Sequence, residues 1–197
     1  MKTMMRTPVT TRPPVATAVY IPAELIETDS AQGYEQVRMT LLMGQPIVSP
    51  CLVPVLHSST PNCINDPFMV NGECYKLTAM SFGSAHGAVF VDDVDSFDVE
   101  TIGSELGNHV LFPNGASIVF IEATDGANLK ARLWQKDIGE IAFTPEGVSV
   151  AGTAGLMLQR VLGTVANIEM GGEEFQVKWD RCGSGVSLTG PASMIQD

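Results

Sequence analysis

Three kinds of side chain in this sequence could move a proton or attack a carbon, and each is set in a different context. His86 closes the stretch Phe82-Gly83-Ser84-Ala85-His86, read as a turn, and an imidazole titrates near neutrality, so it can give or take a proton at physiological pH. Glu146 stands in Thr144-Pro145-Glu146-Gly147. It complements the positive end of a helix dipole there and, if held at a cleft, serves as a general acid or base; an exposed first-turn carboxylate is the commoner situation. Thr144 reads better as an N-cap than as a catalyst. The cysteines Cys51, Cys63, Cys74 and Cys182 are scattered without C-x-x-C spacing, which argues against a zinc knuckle and a redox pair and leaves their redox state open. Cys63 invites a nucleophile reading, but no motif fixes a histidine beside it, and a buried or idle thiol is the commoner case. Asp92, Asp93, Asp95 and Asp98 resemble a calcium loop only superficially, because the EF-hand glycine and terminal Glu spacing are missing. No metal and no cofactor is expected.

The element that must position these groups is Thr144–Leu162. Thr144 caps it, Pro145 sits at the first helical position where a missing N–H costs nothing, and Glu146 follows in the first turn. Beyond that, Val148, Val150, Ala151, Ala154, Leu158 and Val161 put apolar or small side chains on nearly every face, and Gly163 supplies the stop. A helix apolar all round is a buried helix, and one this rich in Gly and Ala needs close neighbours for stability. The wrapping is read as strands at 18–26, 36–43, 74–81, 87–91, 117–122 and 129–135, with a turn at Asp125-Gly126, followed by a meander over 165–170, 174–179 and 186–189. A short helix covers 99–106. Residues 1–17, rich in Thr and Pro, read as an extended arm, and the proline-studded stretch from Met43 to Phe68 as an extended crossing segment. The expected fold is α+β, a mixed or antiparallel sheet curled around one central apolar helix. Its expected organisation is an arm over 1–17 and a single domain over 18–197, in which 18–71 carries strands and the crossing and 72–197 the curled sheet.

With 197 residues, 45% of them hydrophobic, the chain can bury a sizeable core. A net charge of −11 without a basic cluster speaks against nucleic acid and anionic membrane surfaces as partners. No stretch approaches the roughly 20 apolar residues of a membrane span, and Pro8, Pro13 and Pro14 interrupt the start where a signal peptide would need an apolar run. A cytoplasmic location is expected.

Residue matches carry the reading further. Met43-Gly44-Gln45-Pro46 with the following Val53-Pro54-Val55, the stretch Ser81–Gly103, Phe112–Ala123, Ile138-Gly139-Glu140 and Val186–Ala192 follow, nearly collinearly, the C-terminal half of diaminopimelate epimerase. The chain resembles that family. The resemblance implies two pseudo-symmetric halves, each a sheet around a central helix, with substrate between them; one half and the tail of the other are expected here. It also implies a mechanism in which two cysteines act on opposite faces of an α-carbon. At the position matching the second cysteine this sequence has Thr144, far too weakly acidic for that role. The turn that offers backbone N–H groups to a carboxylate in the family carries Pro145 and Glu146 here, so it is expected to reject carboxylates. The family's Gly-Asn-Pro-His is Gly83-Ser84-Ala85-His86, its Phe-Pro-x-x-x-Asn ends on Ser117, and its Glu-Arg pair is Gln135-Lys136.

The expectation from this pattern is a cofactor-independent isomerase or cyclase, not a diaminopimelate epimerase, acting on a small, largely apolar ligand such as a natural-product intermediate. His86, Gln135 and Glu146 are the expected catalytic residues, with Ser84, Ser117, Lys136 and Thr144 at the ligand. A half of a two-half fold exposes an apolar face, so a homodimer is expected. Two other readings stay open: a non-catalytic binding or scaffolding subunit that pairs with a chain supplying the missing half, and a residual racemase using a cysteine donated by another chain.

Overall fold

In the computed structural model, which describes residues 38–56, 62–183 and 185–195, one helix is enclosed by a sheet. That helix, α2 (Pro145–Met157), is buried without interruption from Gly147 to Leu156. Thr144 adopts an extended backbone and its Oγ1 accepts the Gly147 N–H at 3.0 Å, which starts the helix where the sequence places it. The helix stops earlier than the expected Leu162. Leu158 caps it, Gln159 turns into the left-handed region (φ 57°), and Arg181 donates from a distant turn to the Leu156 carbonyl at 2.7 Å. A side chain reaching in from another element thus satisfies a carbonyl that a further turn of helix would have used.

Among the described residues the sheet has ten strands: β1 (Arg38–Gly44), β2 (Asp66–Val70), β3 (Glu73–Ser81), β4 (Ala85–Phe90), β5 (Ser117–Asp125), β6 (Asn128–Gln135), β7 (Gly139–Ile141), β8 (Val165–Met170), β9 (Glu173–Asp180) and β10 (Gly185–Pro191). The sheet runs β1-β10-β9-β8-β6-β5-β4-β3-β2, with β7 attached to β6. Its β4–β5 and β6–β8 pairings are parallel and the rest antiparallel, so the sheet is mixed. Leu41 from β1 and Met80 from β3 share one core with Val177 of β9 and Val148 of α2, so the far strands curl back towards each other. A bridge between Ile47 and Ser81, with N–H to carbonyl distances of 3.1 and 2.8 Å, joins the end of β1 to β3 and completes the wrap.

The other face of β3 to β6 carries a second core, which the sequence reading did not separate from the first. The helix α1 (Val99–Gly107) sits there, started by Asp98, whose side chain accepts the Thr101 N–H at 3.1 Å. Val99 and Leu106 pack with Phe120 and Trp134, and the Trp134 ring lies directly against Gly103 and Gly107.

Several expectations need correction. The strand expected from 87 begins at Ala85, so His86 is strand rather than turn. Asp66–Val70, read as part of an extended crossing, is a strand; Pro67 is tolerated because β2 lies at the sheet edge and pairs only with β3. The three-residue β7 was not foreseen. The arm over 1–17 and the strand expected at 18–26 lie outside the described residues. Among the described residues, no helix is long and apolar enough to cross a membrane.

Candidate active site

Strand alternation decides which side chains meet. In β4, Ala88 belongs to the core around α2 and Val89 to the second core, so His86 shares the α2 face with Ala88. By the same alternation Ser117 lies on the α2 face with Val119, and Gln135 with Leu133. His86 and Ser117 are direct register partners across the parallel β4–β5 pair. Ile118 pairs with Trp134, and continuing that register one step sets Ser117 opposite Gln135. His86, Ser117 and Gln135 therefore form one rung at the end of the sheet, on the face that packs against α2.

The first turn of α2 reaches the same end, since Gly147 abuts the Leu133 side chain, two residues before Gln135. Glu146 is half-buried and acts electrostatically on His86. His86 is only 3% exposed, and its Nδ1 lies 3.1 Å from the Ser84 carbonyl. A carbonyl can only accept, so Nδ1 carries the proton and Nε2 presents its lone pair. Burial lowers the His86 pKa from its ordinary value; the Ser84 carbonyl and the Glu146 charge work against that shift. The ring is a neutral base at physiological pH. Ser84 itself is exposed and contributes its carbonyl, held by a turn in which the Ser81 hydroxyl accepts the Gly83 N–H at 3.0 Å.

The remaining expected site residues are placed as follows. Thr144 Oγ1 caps the helix by accepting the Gly147 N–H, and Ser117 Oγ accepts the Lys136 N–H at 3.2 Å. Lys136 turns away from the rung. Its aliphatic stem covers Gly115, so closely that a Cβ there would come within 2.6 Å of Lys136 Cε. The ammonium stands 3.5 Å from the Asp137 carboxylate. Lys136 lines an open depression of about 410 Å³ with Asn108, Phe112, Pro113, Asn114 and Gly115.

Two supports of the site were not anticipated. Gly171, at φ 62°, lies so close to the lead-in of α2 that a Cβ would fall 2.8 Å from the Ala142 carbonyl oxygen, and the Phe143 and Phe175 rings meet at 4.9 Å beside it. Arg132 grips Glu140 of β7 with two bonds of 2.7 and 2.8 Å and donates to the Val94 and Phe97 carbonyls, tying the acidic turn to the β6–β7 hairpin. The Gly171-Gly172 pair signalled a turn, but nothing local signalled what the turn would touch.

The competing chemistries fare poorly in this geometry. Burial and the nearby Asp66 push the Cys63 thiol up to about 11, against the pull of the Ala79 N–H, so it is a protonated core residue and no nucleophile. Cys51, Cys74 and Cys182 are exposed free thiols. In the acidic turn, Asp93 is spent on the Asp95 and Ser96 N–H groups and the Ser96 hydroxyl, while Asp95 pairs with Lys130.

A model of the diaminopimelate epimerase family matches residues 78–195. The chain is 33% identical over 157 residues to the diaminopimelate epimerase of Leptospira biflexa, covering 80% of this chain and 55% of that protein. It is 28% identical over 175 residues to the diaminopimelate epimerase of Oceanobacillus iheyensis, covering 88% and 61%. The chain thus spans little more than half the length of these curated relatives. Among solved structures, a hydroxyproline epimerase from Agrobacterium vitis, crystallised with bound trans-4-hydroxy-L-proline, shares the fold. Its TM-score is 0.52 at 15% identity, over 78% of this chain and 49% of that one.

Proposed function

Because the chain belongs to the diaminopimelate epimerase family, we propose that it is a cofactor-independent isomerase or cyclase that acts on a small, largely apolar ligand at the end of the sheet where α2 begins. The observation that carries this reading is the neutral, buried His86, its Nδ1 held by the Ser84 carbonyl, at the end of the sheet that the first turn of α2 reaches and under the influence of the Glu146 charge. Such a pair can take a proton from one ligand atom and return it to another, while Ser117 and Gln135 hold the ligand. Diaminopimelate epimerisation is not the proposed reaction, because Thr144 stands where the family pattern has a cysteine and its oxygen is committed to the helix cap.

The proposal extends to assembly and location. Leu52, Leu56, Val110 and Ile138 are exposed apolar side chains, and they favour a second copy of the chain as partner, giving a homodimer. Light scattering at micromolar concentration checks this, and a strict monomer refutes it. Three exposed free cysteines suit a reducing compartment, which supports a cytoplasmic location.

For the activity, the protein is incubated with a small-metabolite extract in D2O and the extract is read by mass spectrometry. The expected result is at least one species that gains deuterium or changes retention time with the wild type, and not with His86→Gln or Glu146→Gln. No altered species, or one altered equally by both variants, refutes the proposal and favours the non-catalytic binding subunit.

A further inference from the structure

Ser81 ends β3 as a polar residue on an apolar face. Leu77 and Ala79, the preceding residues of that face, belong to the second core, and its register partner Ala85 packs against the same core. Ser81 is nevertheless only 5% exposed, and strand alternation puts its side chain on the opposite face of the sheet from His86. A buried hydroxyl costs free energy unless it is bonded, and this one accepts the Gly83 N–H at 3.0 Å.

That bond falls where the hairpin between β3 and β4 has little else to hold it. The Ser81 N–H donates to the Ile47 carbonyl at 2.8 Å, and the Ser81 carbonyl accepts the Ile47 N–H at 3.1 Å. The Ser81 backbone therefore faces the crossing segment, so by the alternation of an antiparallel ladder the last bonds between β3 and β4 are those of the Met80–His86 pair. The loop Phe82-Gly83-Ser84 lies beyond them. Phe82 is anchored in the core around α2, but Gly83 sits at φ 120°, a region open to glycine and to few other residues. Among the described residues, only Ser81 Oγ bonds the Gly83 N–H. One residue on, the Ser84 carbonyl is the hydrogen-bond partner of His86, 3.1 Å from Nδ1.

We infer that Ser81 is a positioning residue for His86: by holding Gly83, its hydroxyl aims the Ser84 carbonyl at Nδ1 and so keeps the proton on that nitrogen and the lone pair on Nε2. With the carbonyl turned aside, a buried Nδ1–H is left unpaired, and the ring moves its proton to Nε2. The imidazole then presents a donor where it had presented an acceptor. The inference rests on the reading of His86 as the base of the site, and it deepens that reading by naming what selects the basic nitrogen.

The test follows the ring nitrogens of His86 by NMR at pH 7.5, in full-length protein isotope-labelled at histidine, where the protonated and unprotonated nitrogens are told apart directly. Wild type is expected to carry the proton on Nδ1. In Ser81→Ala the ratio of the Nδ1–H to the Nε2–H form is expected to fall about fivefold or more, the population change that one ordinary hydrogen bond produces. Ser81→Thr keeps the hydroxyl and is expected to restore the ratio to within about twofold of wild type. Ser81→Cys, similar in size with only a weak acceptor, is expected to follow Ser81→Ala, and it decides the matter should that variant fail to fold. A merely structural role would lower the unfolding midpoint and leave the ratio at its wild-type value; that result overturns the inference. So does a wild-type proton on Nε2, or a ratio in Ser81→Thr no different from that in Ser81→Ala. A shifted ratio without any deuterium-labelled product from the wild type refutes the reading of His86 as a base and leaves this one standing; labelled product with an unshifted ratio in Ser81→Ala does the reverse.

Discussion

The same substitution at two glycines of α2, less than one turn apart, should have different consequences, because the two face different kinds of neighbour. Replacing a helix-interior Gly by Ala gains about 1 kcal/mol from backbone entropy, and neither Gly152 nor Gly155 has a positive φ that would forbid it. At Gly152 the new Cβ would lie 2.5 Å from Val177 Cβ and 2.7 and 2.8 Å from its two methyls. Val177 Cβ is fixed to the β9 backbone, so relief requires the helix or the strand to move, and overpacking of that kind costs about 1–3 kcal/mol. At Gly155 the close atom is Leu129 Cδ1 at 2.7 Å, the free end of a side chain that can rotate. Gly155→Ala is therefore expected within about 0.5 kcal/mol of wild type, and Gly152→Ala less stable than Gly155→Ala by about 1–2 kcal/mol. Urea unfolding followed by circular dichroism measures both, and an unchanged m-value confirms that the native and denatured states are comparable. If Gly152→Ala is as stable as Gly155→Ala or more so, the close approach of α2 to β9 is not what sets the position of the helix. The account of how Thr144 and Glu146 are placed would then fail with it.

Three further predictions follow from individual contacts. Burial keeps His86 neutral in the fold below its ordinary value of 6.5, where the unfolded chain binds a proton, so its stabilising contribution is complete above about pH 6.5 and is lost as pH falls from there towards the lowered folded value. His86→Gln should flatten the stability profile between pH 7 and 5, by up to about 1.4 kcal/mol per pH unit, in urea titrations at matched ionic strength. Arg132→Lys cannot hold Glu140 with a fork and also reach the Val94 and Phe97 carbonyls; it should cost about 1–2 kcal/mol in urea unfolding, more than Glu140→Gln, which leaves the carbonyl bonds in place. Gly171 and Gly172 both have positive φ, but only Gly171 abuts Ala142, so Gly172→Asn should be nearly silent in thermal melts. Gly171→Asn should be destabilised and should shift the NMR signals of Thr144 and Glu146.

What the sequence disclosed, it disclosed through local chemistry. The start of α2 was legible because Thr144, Pro145 and Glu146 each satisfy a need of a helix N-terminus by themselves. Its end was not, because the Leu156 carbonyl is satisfied by Arg181, which no local pattern ties to it. Proline hid β2 for a similar reason: Pro67 argues against a strand unless the strand is known to lie at the edge, and edge position is a property of the whole sheet. At the candidate site, residue type singled out His86, and residue matches to a family pointed to Ser117 and Gln135. That they form one rung depends on a parallel register between β4 and β5 and an antiparallel one between β5 and β6, separations that no window of sequence contains. The same alternation separates Lys136 from its neighbour Gln135. Two adjacent residues were expected at one ligand, and the end of the strand sends the lysine over Gly115 instead.

The protonation state of His86 constrains the order of events in any proton transfer it carries. Thr144 Oγ1 accepts the Gly147 N–H, and an unactivated hydroxyl is too weak an acid to exchange a proton near neutrality. Lys136, the nearest cation in sequence, stands beside Asp137 and away from the rung. His86 is a neutral imidazole, kept so by burial against the opposing pull of the Glu146 charge, and it is a proton acceptor before anything binds. A proton transfer through His86 must therefore begin by taking a proton from the ligand, and the imidazolium so formed is then the acid that can return it. That closes the cycle without a cofactor only if the ligand's donor and acceptor atoms both come within reach of His86 or Glu146. A rearrangement over a short atomic span satisfies that condition.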